Sequence, residues 1–241
     1  MPDASAAFPT TQWTVVVKEA GSGDVERRRR AFDVLCRDYW KPLYFFARRS
    51  GHDSHEAEDL TQGFFAYLLE HVTLESATPE LGRLRTFLLR VFRRYIRDLR
   101  ARDHAQKRGG AVAIYSLNIE EGDEMLVIEN ETPEMIYDRA WARALLRAAL
   151  NDLEAIEQAA GRGTLFEALK SELHLEAEGQ EGRQKAAHTL GMSVDTVRQA
   201  VSRLRKKFRD CLRERIAATL HEPNDAQIDE ELHALKAALL K

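Results

Sequence analysis

A chain of 241 residues with 44% hydrophobic and 31% charged side chains is long enough for one large domain or two small ones, and its charge content suits helix surfaces. Two distant cysteines, Cys36 and Cys211, exclude a disulfide framework and a cysteine-based zinc site. No signal peptide is recognisable and no apolar run approaches the ~18 residues of a membrane span, so a cytoplasmic protein without a membrane partner is expected. The net charge of −3 is unevenly spread: Arg83 to Arg108 holds ten Lys/Arg against two acids, Arg183 to Arg215 ten against three, and Glu120 to Asp138 eight acids and no base. Two basic blocks joined by an acidic connector suit a nucleic-acid partner better than the total suggests.

In chain order, the first ten residues are small and polar. Trp13 and Val15 to Val17 then suggest a short helix, broken at Gly21-Ser22-Gly23. The first long helix is expected from Arg27 to about Arg49, with Ala31, Val34, Leu35, Tyr39, Leu43, Phe46 and Ala47 inside and a kink or division at Pro42. Gly51 with Asp53 or Ser54 ends it and caps a second helix, Ser54 to about His71. The buried face there reads as Ala57, Leu60, Phe64, Tyr67 and Leu68. His55, Glu58, Asp59 and Gln62 lie opposite, at offsets 0, 3, 4 and 7. After a loop with Pro79 and Gly82, a third helix runs from about Arg83 to Asp103. Its apolar stripe is Leu84, Phe87, Leu88, Val91, Phe92, Tyr95, Ile96 and Leu99. Arg90, Arg93, Arg94, Arg97 and Arg100 cover the rest. Arginines interleaved with Phe87, Phe92 and Tyr95 suit melted or single-stranded nucleic acid, although a solvated cationic face over a core of aromatics explains them equally well.

Lys107 to Gly110 ends that bundle, and an acidic stretch follows. Helices resume at Pro133, a first-turn residue behind the cap Thr132. Tyr137, Trp141, Leu145, Leu146 and Ala149 mark one amphipathic segment. Leu165, Phe166, Leu169 and Leu173 mark another beyond Gly161-Arg162-Gly163, and Glu176 to Gly182 reads as a polar loop. The last helix pair is Gln184 to Leu190 and Val194 to about Leu220. A glycine at 191 supplies a sharp turn, and Ser193 can cap the second helix. That helix is expected to bury Val194, Val197, Val201, Leu204 and Phe208. It turns outward Asp195, Thr196, Arg198, Gln199, Ser202, Arg203, Lys206 and Arg209. A hydrogen-bonding N-terminal half suits base edges in the major groove, and a basic C-terminal half suits phosphates.

Enzymatic signals are absent from the pattern. His55-Glu56 lacks the second histidine of a zinc-binding helix, Gly161-x-Gly163 lacks the remainder of a phosphate loop, and no nucleophile–histidine arrangement is recognisable. No catalytic residue, metal or cofactor is expected.

Three segments in this order resemble the extracytoplasmic-function group of bacterial sigma-70-type sigma factors. Tyr39-Trp40-x-x-Leu43-Tyr44-x-Phe46-Ala47 through His55 to Gln62 is similar to regions 2.1 and 2.2. Arg85-Thr86-Phe87-Leu88-Leu89-Arg90 through Arg100 is similar to regions 2.3 and 2.4. Gly191-Met192-Ser193-x-x-Thr196-Val197-Arg198 with Ser202 to Arg205 is similar to the region 4.2 helix-turn-helix. The resemblance implies an all-α chain of two helical domains. These are an N-terminal extension (1–24), a region 2-like domain (25–108), an acidic linker (109–132), a region 4-like domain with the helix-turn-helix (133–220) and a C-terminal extension (221–241). It implies a non-enzymatic polymerase subunit that binds core RNA polymerase, through the β′ clamp helices and the β flap, and directs initiation at promoter DNA. Glu58, Asp59 and Gln62 would dock on polymerase. Arg90, Arg93, Arg94 and Arg97 would read the −10 element, and Arg198, Gln199, Ser202, Arg203 and Lys206 the −35 element. The acidic linker would run along nucleic-acid channels of the polymerase.

Gly63 and Thr61 depart from the usual family pattern, as does the C-terminal extension. In these respects the chain resembles the subgroup associated with Ser/Thr protein kinases. The resemblance makes Thr61 a phosphorylation candidate, where about −1.5 to −2 charges would be added beside the docking face, and makes a kinase or an anti-sigma factor a possible partner. Two other readings compete: a stand-alone helix-turn-helix regulator, which leaves the arginine helix and the acidic stripe unused, and a helical adaptor that binds only proteins.

Overall fold

The computed structural model describes residues 25–71, 83–105, 131–173, 179–220 and 223–240. The expected short helix near Trp13, the Pro79–Gly82 loop and the acidic linker up to Asn130 lie outside the described residues. The architecture is all-α. Among the described residues, β-type pairing is limited to one antiparallel bridge between Arg83 and Leu220. The chain divides into two compact units: residues 1–144 with 216–241, and residues 145–215.

The first unit is built on α1 (Val25–Arg49), α2 (Ser54–His71) and α3 (Leu84–Ala105). Helix α1 continues as one element through Pro42, so the chain is not divided into two helices there. Proline removes one backbone donor at a cost of about 3 kcal/mol. Here the ring is itself buried, and so are Leu43 to Ala47 beyond it. Burial of such side chains returns about 1.5–3 kcal/mol each, which outweighs the lost bond. Gly51, at φ 95°, lets the chain leave α1. Asp53 and Glu56 then form a reciprocal cap on α2: the Asp53 carboxylate accepts from the Glu56 N–H at 2.9 Å, and Glu56 accepts from the Asp53 N–H at 3.3 Å.

The core between α1, α2 and α3 is aromatic. Phe92 is fully buried, with Phe64 at 4.9 Å and Phe46 at 6.1 Å between ring centroids. Phe87 is also buried, and Tyr95 packs on Phe64 and Tyr67. Phe87 and Phe92 of α3 are therefore core and Tyr95 is half-buried against it, while most of the arginines face outward. Gly63 sits where α2 meets Tyr95, and a Cβ at this position would collide with the Tyr95 hydroxyl. The departure at Gly63 thus has a packing cause.

The same unit takes in the first part of α4 (Pro133–Ala159) and α8 (Asp225–Leu239). Thr132 starts α4 as expected, its Oγ1 accepting from the Met135 N–H at 3.3 Å. Helix α8 begins with a capping box in which the Asn224 and Gln227 side chains accept from each other's backbone N–H. It buries Ile228, Glu231 and Leu235, so part of the C-terminal extension is a packed helix.

The second unit contains the rest of α4, α5 (Gly163–Leu169), a 3₁₀ turn (Lys170–Leu173), α6 (Gly179–Leu190) and most of α7 (Val194–Ala218). Helix α6 starts at Gly179, so residues 179–182 of the expected polar loop are helical. Leu153, Phe166, Leu169, Ala186, Ala187, Val197, Val201 and Leu204 form its core.

Candidate nucleic-acid interface

In the second unit, α6 and α7 form the expected helix-turn-helix. The buried Ala186 and Ala187 keep α6 slim on its inner side. Gly191 adopts φ 63°, which L side chains disfavour, and the Met192 N–H donates back to the Ala187 carbonyl at 3.0 Å, closing the end of α6. The Ser193 Oγ then accepts from the Thr196 N–H at 3.2 Å and lies 2.8 Å from the Thr196 hydroxyl, capping α7.

Helix α7 separates two faces. Val197, Val201 and Leu204 are inside, while Arg198, Gln199, Ser202, Arg203, Lys206 and Arg209 are all exposed. Arg198 pairs with Asp195 at 3.1 Å, and Arg203 reaches Gln199 at 3.4 Å. Both contacts are on the surface and exchangeable. Val194 departs from expectation: it is 42% exposed, because the first turn of α7 projects past the core.

Not every base on α7 is available to a ligand. Arg205 donates to the Glu172 carbonyl at 2.8 and 3.2 Å, and Arg215 grips the Asp152 carboxylate at 2.5 Å through two nitrogens. Lys207 meets Glu157 at 2.5 Å. Glu157 is almost fully buried, and the hydrogen bonds from Arg162 first, with those of Lys207, hold its carboxyl down to about 2. These three bases fasten α7 to its own unit. The outward set expected from spacing leaves these three out, but the partners that hold them are too distant along the chain to be read from it.

In the first unit, the cationic face of α3 is divided. Arg90, Arg94 and Arg97 are exposed, with Asp98 near the last two, at 3.6 and 3.5 Å. Arg93 stacks over the Phe46 ring at 5.2 Å and forms an ion pair with Glu134. At the start of α3, Arg83 and Arg85 are both engaged by Glu231 of α8, at 2.8 and 3.0 Å. Arg85 further binds Asp138 at 2.5 Å and lies 4.7 Å over the Trp141 ring. None of these partners could be read from sequence spacing, because each is distant along the chain.

On α2, Asp59 and Gln62 are exposed and Glu58 is half-buried on the same outer side. Thr61 is not beside them. It is fully buried, and its Oγ1 donates to the Ala57 carbonyl at 2.7 Å. The stripe that packs inward is Ala57, Thr61, Phe64, Phe65 and Leu68, with Leu60 only half-buried. Spacing carried the signal: residues 57, 61, 64 and 68 recur at offsets 0, 4, 7 and 11. The hydroxyl, satisfied within its own helix, concealed it.

Neither thiol is primed for chemistry. Burial, with Asp33 nearby, pushes Cys36 up to about 12, and burial also raises Cys211. Among the described residues, no group of three or more His, Cys, Asp or Glu side chains could hold a metal ion, and no helix is long and apolar enough to cross a membrane.

Fold and site together define an all-helical chain that carries a capped helix-turn-helix and a separate arginine-faced helix. Residues 35–106, from the middle of α1 to just beyond the end of α3, match the family model for Sigma-70 region 2. Over 182 residues the chain is 28% identical to the ECF RNA polymerase sigma factor SigE of Mycolicibacterium smegmatis, a match that takes in 76% of this chain and 62% of that protein. No solved structure gives a significant match.

Proposed function

We propose that this protein is a sigma factor that binds core RNA polymerase and directs promoter recognition and transcription initiation. The observation that carries the reading is the pairing, in one chain, of a segment matching Sigma-70 region 2 with a capped helix-turn-helix whose exposed face is basic. The similar mycobacterial protein, itself named as an ECF sigma factor, supports the same assignment.

In this reading Glu58, Asp59 and Gln62 dock on the β′ clamp helices, and Arg90, Arg93, Arg94 and Arg97 meet the −10 element. Arg198, Gln199, Ser202, Arg203 and Lys206 read the −35 element on a unit held by the β flap. The chemistry required is recognition alone, since the polymerase performs the reaction. Arginine and lysine supply phosphate affinity, and Gln199 and Ser202 supply hydrogen bonds suited to base edges. The acidic linker would follow the polymerase's nucleic-acid channels.

Membership of the kinase-associated subgroup would make Thr61 the modified residue and a Ser/Thr protein kinase a partner. A phosphoryl group cannot be accommodated at a fully buried hydroxyl, so modification would require α2 to open and would rebuild the docking helix instead of adding charge to its surface. An anti-sigma factor is a further possible partner.

Transcription in vitro with purified core polymerase on a genomic library tests the function. Transcripts that depend on the added chain are the expected result. Failure to bind core in a pull-down, together with no chain-dependent transcripts, would overturn it; duplex binding under those conditions would then favour a stand-alone regulator.

A further inference from the structure

The arginines at the head of α3 are already occupied, and among the described residues their carboxylate partners belong to α4 and α8. Glu231 of α8 is 1% exposed and lies between two guanidinium groups: its Oε1 forms an ion pair with Arg83 Nε at 2.8 Å and its Oε2 accepts from Arg85 Nε at 3.0 Å. Arg85 Nη2 adds a bond to Oε1 at 3.3 Å, and Arg85 Nη1 donates to Asp138 of α4 at 2.5 Å. Glu230 meets Arg83 at 2.9 Å, and Glu134 of α4 pairs with Arg93. The Tyr137 hydroxyl also ties α4 to α3, donating to the Arg85 carbonyl at 2.9 Å, and the Leu84 N–H donates to the carbonyl of Thr219, just beyond α7, at 3.2 Å.

Arginines at a helix N-terminus oppose the helix dipole, and carboxylates there favour it. Glu231 and Asp138 therefore satisfy both the guanidinium groups and the helix end they crowd. A phosphodiester would meet the same requirements, because it too offers paired anionic oxygens to a planar guanidinium.

We propose that α8 and the first turns of α4 form an intramolecular lock on α3, in which four carboxylates take the place of nucleic-acid phosphates on Arg83, Arg85 and Arg93. This rests on the assignment of α3 as a promoter-reading helix. The lock has a rim and a core. Glu134 and Glu230 are 44% and 66% exposed and exchange readily with a competing anion, while Glu231 is sealed and releases only when α8 lifts. Opening it extends the cationic face from Arg97 back to Arg83, so DNA capture and departure of the C-terminal helix are one event. The C-terminal extension thereby gains a role.

The test uses the full chain without polymerase and a fluorescent mixed-sequence single-stranded 20-mer, titrated at several salt concentrations. The rim variant Glu134→Gln/Glu230→Gln removes only exposed contacts and is expected to bind about threefold tighter than the wild type. Adding Glu231→Gln, in protein that still melts cooperatively, is expected to give about a tenfold gain. The log–log salt slope should steepen by about 2, since each phosphate newly neutralised on a single strand contributes about 0.7. A control with the same number of charges removed elsewhere, Asp33→Asn/Glu167→Gln, corrects for net charge. Variants that bind like the wild type, or a control that gains as much as the rim variant, overturn the lock. If the triple variant does not fold, the rim variant decides alone. Core-dependent transcription by the wild-type chain keeps the two proposals apart. A chain that transcribes but whose variants show no gain keeps the function and loses the lock; a chain that does not transcribe loses both.

Discussion

A Thr61→Glu substitution places a carboxyl at a position with no solvent exposure, one turn of α2 beyond Ala57 and one turn before Phe64 and Phe65. The Thr61 hydroxyl donates to the Ala57 carbonyl, which cannot donate in return to a carboxylate. Such a group stays neutral by shifting its pKa. At pH 7 neutralising a carboxyl of ordinary pKa ~4.3 costs about 3.7 kcal/mol, from about 1.36 kcal/mol per pH unit. Two additional heavy atoms in a close-packed core add about 1–3 kcal/mol. The total, about 5–7 kcal/mol, reaches into the range of about 5–15 kcal/mol that stabilises a whole domain. Thr61→Val keeps the shape and gives up one hydrogen bond, worth about 1 kcal/mol, while the Ala57 carbonyl retains its helical backbone partner.

Urea unfolding followed by far-UV circular dichroism at pH 7 and pH 5 separates these cases. The introduced carboxyl has a folded-state pKa raised above its unfolded value. Its penalty is therefore absent below about pH 4.3 and grows as pH rises towards the folded pKa. Relative to the wild type, the Glu variant should be more stable at pH 5 than at pH 7, by up to about 2.7 kcal/mol. Thr61→Val should lose about 1 kcal/mol at both pH values. A Glu variant within about 1 kcal/mol of the wild type at pH 7 would refute the burial argument, and would return Thr61 to the surface where a modification could act directly.

Three further outcomes are expected. Gly63→Ala should destabilise the first unit by about 1 kcal/mol, because a clash costing about 1–3 kcal/mol exceeds a helix-propensity gain of about 1 kcal/mol; adding Tyr95→Phe removes the colliding hydroxyl and should turn the change stabilising in the same urea assay. Arg198→Ala and Arg203→Ala, both on the exposed face of α7, should leave thermal stability within about 0.5 kcal/mol yet lower core-dependent transcript yield about tenfold, as loss of a base or phosphate contact of about 1–3 kcal/mol requires. Glu157→Gln should cost about 1.5–3 kcal/mol at neutral pH. Because the Glu157 pKa is depressed, its contribution is present above about 4.5 and fades as pH falls towards about 2, so wild type and variant should converge on acid titration.

The parts of the fold that were legible in the sequence are those set by local chemistry. The start of α2 and the cap of α7 follow from Gly51, the Asp53/Glu56 pair, Gly191 and Ser193, each acting within five residues of its effect. Three features were not legible, for distinct reasons. The start of α6 lies in a Gly- and Glu-rich stretch whose propensity is overridden by packing of Ala186 and Ala187. Pro42 reads as a breaker because its local cost is visible and the burial that outweighs it is not. The outward positions of α7 were identified from spacing, but what the remaining bases Arg205, Lys207 and Arg215 do depends on Glu172, Glu157 and Asp152, all more than thirty positions away.

The same limit bears on how a basic block should be read. The stretch from Arg83 to Arg108 looks uniform in sequence, ten bases against two acids, and a uniform block implies a uniform surface. In the folded chain it is graded. Its head is neutralised by α4 and α8, Arg93 is half-committed to Phe46 and Glu134, and Arg90, Arg94, Arg97, Arg100 and Arg102 are exposed. Phosphate affinity scales with the bases that remain free to displace counterions, so the exposed arginines from Arg90 onward, and not Arg83 and Arg85, set what this helix offers in the state described. The carboxylates that make the difference come from the two segments whose purpose the sequence left most open, the end of the acidic connector and the C-terminal extension. Their placement opposite the arginine helix turns an unexplained tail into the element that meters how much of that helix a nucleic acid can reach.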